Sequence, residues 1–458
     1  MTERISSGTD HLDAVLGGGL PRAGISLIIG LPGSGKTILA QQYAFINGRP
    51  DRPALYLSTV SEPLEKILRY GQTLTIFDPA AVGSSVYYDD LGSTLHEGGL
   101  SGVLDRVRVL IRERRPSVVV IDSFKALHAY AADSADFRRF LHNLAGMYSA
   151  YPVTALWVGE YGPDEAAVAP EFAVADAIVA LGSVGTAERT SRLLQVLKLR
   201  GGDFLPGKHA YRLSAGGVTV FPRLADPRNP AGYDLRPTRV QSGIRALDEM
   251  LENGFWPGSS TLLAGPTGVG KTVMGLHFVL HGAHRGERGV IATMQENPVQ
   301  LERTAQQFTW SLDDDEVTVM YRSPVDLHLD EWVYELFGAI EATGATRVLI
   351  DSLGDLQAAS PDIPRFREYL YSLVQRCSRG GVTLLMTYEV PELLGLTRLS
   401  EGGVSHMADN VVLLQYRTHE QAVSRTLTVL KSRAARHDPR ILEFEISSNG
   451  IALTPQSP

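Results

Sequence analysis

Cysteine is almost missing from this chain. Cys377 is the single one among 458 residues, which excludes an intramolecular disulfide and suits a reducing compartment. Its place at the end of a helical pattern makes a buried small hydrophobe the default reading. Long apolar runs are missing too. No stretch approaches the ~20 residues that cross a bilayer, and Met1-Thr2-Glu3-Arg4-Ile5 has no apolar targeting core. The expectation is a soluble cytoplasmic protein without membrane contact. Basic excess is also absent: the formal net charge is −8, which argues against a surface built for non-specific nucleic-acid binding. Lysine is scarce. It occurs seven times, at positions 36, 66, 125, 198, 208, 271 and 431, and arginine supplies the rest of the 43 basic residues.

Two of those seven lysines stand in copies of one motif. Gly30-Leu31-Pro32-Gly33-Ser34-Gly35-Lys36-Thr37 and Gly265-Pro266-Thr267-Gly268-Val269-Gly270-Lys271-Thr272 both read G-x-x-x-x-G-K-T. The spacing has a mechanical meaning. Glycines let backbone N–H groups curl around phosphates, the lysine reaches the β and γ oxygens, and the threonine hydroxyl ligates Mg²⁺. Each copy follows an apolar run and opens a helix-like stretch, the context that the motif requires. A compact cation on a long stem serves that place where a planar guanidinium would not. Two nucleoside triphosphates, each with Mg²⁺ as cofactor, are the expectation.

The two loops are 235 residues apart, and the offset extends beyond them. Ser7-Gly8-Thr9-Asp10-His11-Leu12-Asp13 pairs with Ser242-Gly243-Ile244-Arg245-Ala246-Leu247-Asp248 at the same distance. Downstream it drifts: Asp122 pairs with Asp351 and Glu160 with Glu389 at 229, and Asp176 with Asp409 and Lys198 with Lys431 at 233. A period this long marks duplicated domains, since solenoid repeats run ~20–50 residues. A proline-rich linker is expected over 226–237, between an N-terminal domain at 1–225 and a C-terminal domain at 238–458. β-branched runs at 25–29, 54–58, 117–121, 153–158 and 177–181 alternate with helical patterns, which predicts a mostly parallel sheet of α/β type. Gly216-Gly217 and Asn449-Gly450 predict antiparallel hairpins that extend each sheet near its end.

The loops need an acid for Mg²⁺. Val118-Val119-Val120-Ile121-Asp122 and Arg347-Val348-Leu349-Ile350-Asp351 each supply one at the end of an apolar strand. Hydrolysis needs a group to orient or deprotonate water. Glu62 and Glu296, 234 residues apart after strand patterns, are nominated. The alternative for these two is an N-cap acid on the following helix.

Taken together, these features resemble the KaiC-like double-domain ATPases of the RecA superfamily over nearly the whole chain. The resemblance rests on the Ser-Gly-x-x-x-Leu-Asp starts, Gly18-Gly19-Leu20-Pro21, the Ile-Asp-Ser strand ends, Lys198-Leu199-Arg200-Gly201, and Lys431-Ser432-Arg433. It implies two tandem RecA-like domains, a hexameric ring with ATP between subunits, and Lys198, Arg200, Lys431 and Arg433 as cations that reach the neighbouring subunit's nucleotide. The chain departs from the family in three places. One glutamate stands where the family has two adjacent ones, giving Ser61-Glu62 and Gln295-Glu296. Ser405 matches a phosphorylated serine, but His406 stands where a phosphorylated threonine belongs. The chain's last residues, Pro455 to Pro458, do not match the family's long C-terminal tail. Timekeeping is therefore not expected, and Ser405 is a candidate single phosphoacceptor.

The leading expectation is an ATP-hydrolysing ring with a regulatory or signalling role toward an unknown protein partner, with Ser/Thr autokinase activity open in the second domain. A single-stranded-DNA motor of RecA type is the alternative from another class, with a nucleotide-gated scaffold of little turnover as a further one. The motor needs a basic or aromatic channel. Arg106, Arg108, Arg112, Arg114 and Arg115 could supply part of one, but fit a helix's solvated face more simply.

Overall fold

The computed structural model describes residues 3–162, 165, 169–186, 189–224, 237–313, 315–360, 363–390, 404–419, 422–433, 435–448 and 450–454. The expected linker, Asn449 and the last four residues fall almost wholly outside them. Two compact units divide the chain, Met1–Arg223 and Leu224–Pro458. Among the described residues each unit carries a nine-stranded sheet.

In the first unit the phosphate-loop strand Ile25–Gly30 lies between Ala177–Thr186 and Thr154–Gly159, parallel to both. Beyond Thr154–Gly159 come Val118–Asp122, Ala54–Ser58 and Val86–Asp90, all parallel. On the other side Arg189–Leu199, Lys208–Ser214 and Gly217–Phe221 continue antiparallel. The second unit repeats the plan. Ser260–Gly265 lies between Thr383–Glu389 and Asn410–His419, and Arg347–Asp351, Gly289–Thr293 and Val317–Tyr321 follow on the parallel side. The antiparallel extension ends in the hairpin of Leu442–Ser447 and Gly450–Thr454.

The parallel strands are apolar runs because helices cover both faces of the sheet. Val118 to Ile121 and Val348 to Ile350 are wholly buried. The outermost parallel strands differ. Val86–Asp90 (VYYDD) buries only its first residue, and Val317–Tyr321 does the same. In both units the shared Ser-Gly-x-x-x-Leu-Asp segment is held by its own side chains. The Asp13 carboxylate accepts the Ser7 N–H at 2.7 Å, and Asp248 accepts that of Ser242 at 2.7 Å. A short-range carboxylate bond of this kind fixes the turn that leads into the first helix.

Parallel register brings the strand ends together. Ser58 sits beside Asp122 and Thr293 beside Asp351, while Gly265 sits beside Glu389. The carboxyl ends of the central strands and the phosphate loops therefore share one edge of each sheet, the edge where α/β sheets bind ligands. No helix among the described residues is long and apolar enough to cross a membrane.

Candidate functional site

The helices Lys36–Asn47 and Lys271–Ala283 begin directly at the end of the phosphate loops. Their cap residues, Gly35 and Gly270, have φ of 88° and 112°, backbone that a residue with a Cβ resists. This conformation turns successive N–H groups toward one point at the helix start, where the partial positive charge also lies. Gly30, Gly33, Ser34, Gly265, Gly268 and Val269 build the rest of the two loops. The first unit's loop borders a cavity of 780 Å³ whose wall includes Gly33, Lys36, Thr37, Glu62, Asp122 and Glu160.

Lys36 and Lys271 turn their ammonium groups onto their own loops. Lys36 Nζ donates to the Leu31 carbonyl at 2.9 Å, and Lys271 Nζ to those of Gly265 and Pro266 at 2.9 and 2.8 Å. Burial lowers both pKa values, while Glu160 and Asp122 oppose the shift at Lys36, and Glu389 and Asp351 oppose it at Lys271. Glu160 lies 4.0 Å from Lys36. Sequence reasoning paired Glu160 with Glu389 as corresponding positions of the repeat but gave them no role. Only the structure brings each toward its lysine, Glu160 by contact and Glu389 by its register with Gly265.

The proposed magnesium ligands meet in both units. Thr37 Oγ1 donates to Asp122 at 2.7 Å, and Thr272 Oγ1 to Asp351 at 2.7 Å. A hydroxyl and a carboxylate side by side form an oxygen-only set, suited to a hard cation that keeps its water and phosphate ligands. The support behind the two acids differs. Tyr56 donates to Asp122 at 2.7 Å, whereas Asp351 accepts from Thr387. Burial pushes the Asp122 carboxyl up, against the Tyr56 and Thr37 bonds and the charge of Lys36.

The two nominated bases also differ. Glu62 is held by Lys66 at 2.9 Å in an i,i+4 pair with both partners part-exposed. Glu296 is half-buried, and its Oε2 atom has no partner among the described residues. Burial, and then the charge of Asp351, raises its pKa. The cap of the helix Pro298–Gln306 is Asn297, paired with Gln300 in a capping box, so capping does not account for Glu296. Gln295 reaches away, to both oxygens of Asp355 at 3.1 and 3.2 Å.

Lys198, Arg200, Lys431 and Arg433 make matching contacts within their own subunits. Lys198 Nζ donates to the carbonyls of Phe172 and Ala173, at the end of the short helix Pro170–Val174. Lys431 Nζ donates to those of Ser405, His406 and Ala408, on and just after the helix Val404–Met407. Arg200 pairs with Asp176 at 3.4 Å and Arg433 with Asp409 at 3.7 Å. Ser405 thus rides on an element that Lys431 ties down. At the 233-residue offset its counterpart is Phe172. Beside it the buried Glu171 is bonded to His128 Nε2 at 2.9 Å and to the Tyr161 hydroxyl.

A family model described as "ATPase: KaiC" matches residues 5–225 and again 240–458. The chain belongs to the KaiC family. It is therefore an ATPase-family protein with tandem RecA-like domains, and ATP is the nucleotide it uses. Among curated relatives, "Circadian clock protein KaiC3" of Synechocystis sp. is 29% identical over 469 residues, covering 98% of this chain and 92% of that protein. "Circadian clock oscillator protein KaiC" of Picosynechococcus sp. is 28% identical over 472 residues, covering 98% and 89%. The protein of the same description from Thermostichus vulcanus is 28% identical over 472 residues with the same coverage. The KaiC family match spans both sheets and both phosphate loops. Three of the five arginines considered for a DNA channel are engaged otherwise: Arg106 pairs with Asp89 at 2.6 Å, Arg108 with Asp105 at 2.5 Å, and Arg114 covers the Tyr87 ring.

Proposed function

We propose that this chain hydrolyses ATP to ADP and phosphate at two sites and assembles as a homo-oligomeric ring, a hexamer, with nucleotide between subunits. The observation that carries the reading is the Thr–Asp pair at 2.7 Å beside a desolvated loop lysine, built twice from separate sequence. Gly30 to Thr37 and Gly265 to Thr272 would wrap the phosphates, with Lys36 and Lys271 leaving their loop carbonyls for the β and γ oxygens. Thr37 with Asp122 and Thr272 with Asp351 would hold Mg²⁺, which when bound neutralises charge that develops on the transferred phosphoryl group. Lys198, Arg200, Lys431 and Arg433 would act across the subunit boundary in the manner of an arginine finger.

Glu296 favours a second activity in the second unit. A carboxylate with an unpartnered buried oxygen and a raised pKa is a better proton acceptor than one neutralised by a lysine. It serves an attacking water, and it serves a serine hydroxyl equally. Lys431 and Ser405 lie side by side, since the lysine bonds the serine's own carbonyl at 3.3 Å. If Lys431 reaches a neighbour's nucleotide, Ser405 arrives with it. We therefore infer Ser405 as an autophosphorylation acceptor, with a partner protein reading the state of the ring. A place in a circadian clock, as the relatives' names describe, is a further reading that rests on those names alone.

The test is incubation of the full chain with Mg-ATP, followed by sizing and phosphopeptide mass spectrometry. A ring that releases phosphate and carries label on Ser405 is the expected result. Phosphate release without label on Ser405 removes the kinase, and no release removes the hydrolase.

A further inference from the structure

Arginines gather at one corner of the first unit, away from the ATP site. Three of them, Arg52, Arg112 and Arg115, line a second cavity of 530 Å³, with Ile111, Pro116, Tyr151, Pro152 and Val153 as the rest of its wall. The cavity sits at the amino ends of Ala54–Ser58, Val118–Asp122 and Thr154–Gly159, because Arg52, Pro116 and Val153 stand one or two residues before those strands. The phosphate loop and Asp122 occupy the carboxyl ends of the same sheet. This recess is therefore separate from the ATP site.

Three guanidinium groups around one hollow need a reason, because like charges repel. Among the described residues none of the three pairs with a carboxylate. Arg112 Nε donates to the Tyr151 hydroxyl at 2.9 Å, and Arg52 Nη2 to the Pro152 carbonyl at 3.4 Å. Both contacts are to uncharged oxygens, so they orient the cations and leave the charge unbalanced. The floor is apolar, with Ile111, Pro116 and Val153 buried. The volume lies within the usual range for small-ligand sites.

The second unit supplies an internal control. The offsets of the repeat set Glu287 opposite Arg52, Glu341 opposite Arg112, Gly344 opposite Arg115 and Gly380 opposite Tyr151. Each stands at the same step before its strand or at the same turn of its helix. At two of these positions the charge is reversed, and it is balanced from inside the unit. Glu287 pairs with the buried Arg347 at 2.7 Å, and Glu341 with Arg376 at 3.7 Å. The same corner of the fold thus carries internal ion pairs in one copy and arginines without a carboxylate partner among the described residues in the other. Fold alone does not demand the arginines.

We propose that the recess of Arg52, Arg112, Arg115 and Tyr151 binds a nucleotide-like small molecule, a phosphate group carried on a flat ring. Guanidinium forks match phosphate oxygens two at a time and also stack on rings, and the tyrosine with the apolar floor suits the ring itself. The site is additional to the two that take ATP.

Calorimetric titration tests this on the full chain with both phosphate loops saturated by a non-hydrolysable ATP analogue and Mg²⁺. AMP is the probe, because it lacks the β and γ phosphates that those loops grip. One saturable AMP per chain is expected. R112A with R115A should weaken it by at least about tenfold, and R52E with R112E, which installs the second copy's residues, should abolish it. Both variants should still load two analogue molecules per chain, which shows that they are folded. Three results would overturn the proposal: no saturable binding of AMP or GMP, binding that the arginine variants leave unchanged, or inorganic phosphate binding as tightly as AMP.

Discussion

Burial sets the chemistry of individual side chains in the second unit. Glu296 titrates above an ordinary carboxylate because half of its surroundings are protein and Asp351 adds like charge. A base works only when deprotonated, so hydrolysis at this site should fall as pH drops through that raised value, earlier than for a free glutamate. Glu296→Gln should lower single-turnover phosphate release by about a hundredfold and remove this acid limb. Glu62→Gln, which breaks a part-exposed pair with Lys66, should have the smaller effect. His277 gives a second residue-scale prediction. Burial holds its pKa down at about 4, against 6.5 for a free imidazole, and its Nε2 must stay unprotonated to accept the Ile451 N–H at 2.8 Å. Between pH 6.5 and 4 the unfolded chain takes up a proton that the folded one refuses. Stability of the second unit should therefore decline through that window as pH falls, by up to about 3 kcal/mol. Thermal melts across the window should show the decline, and His277→Gln should flatten it.

Elements show why some of this could be read in advance and some could not. Strands buried on both faces read as unbroken apolar runs, so Val118–Asp122 and Arg347–Asp351 declared themselves along with their terminal acids. The outer strand Val86–Asp90 escaped, because its tyrosines and aspartates are half-exposed and match no simple period. Both phosphate loops were legible as spacing alone. The neighbours of the acids were not: Tyr56 sits on a different strand from Asp122, and nothing local to either residue marks the bond between them. Arg200 and Arg433 are the case in which element and function can be separated. Each caps a sheet strand through a part-exposed ion pair, and such pairs contribute about 1 kcal/mol or less. If they act across subunits, Arg200→Ala or Arg433→Ala should slow turnover at the one site that each arginine serves by about a thousandfold while the melting temperature barely moves. Equal losses of turnover and stability would assign them to the fold alone.

At the scale of the whole molecule we propose that the first unit mainly holds the ring together and the second signals. Lys36→Ala removes the cation that ties nucleotide to the first unit, and size-exclusion in ATP should show smaller species. Lys271→Ala should leave the size unchanged and remove turnover or label from the second unit. Reversal of that pattern would exchange the proposed roles of the two copies. The KaiC family match covers both units, so a division of roles would rest on residues in which the copies differ, among them Glu62 with Lys66 against Glu296, and Tyr56 against Thr387.

The pair of short helices beside the extension strands carries a consequence of its own. In the first unit that helix carries the buried Phe172 and a buried carboxylate clamped by His128 and Tyr161; in the second it carries Ser405. Phenylalanine has no oxygen on which a phosphoryl group could come to rest, so this position of the first unit cannot be marked. A lasting mark, one that outlives the nucleotide that made it, can be written there only in the second unit. With the acceptor reading of Ser405, one polypeptide then joins a half that forgets each turnover to a half that can store one.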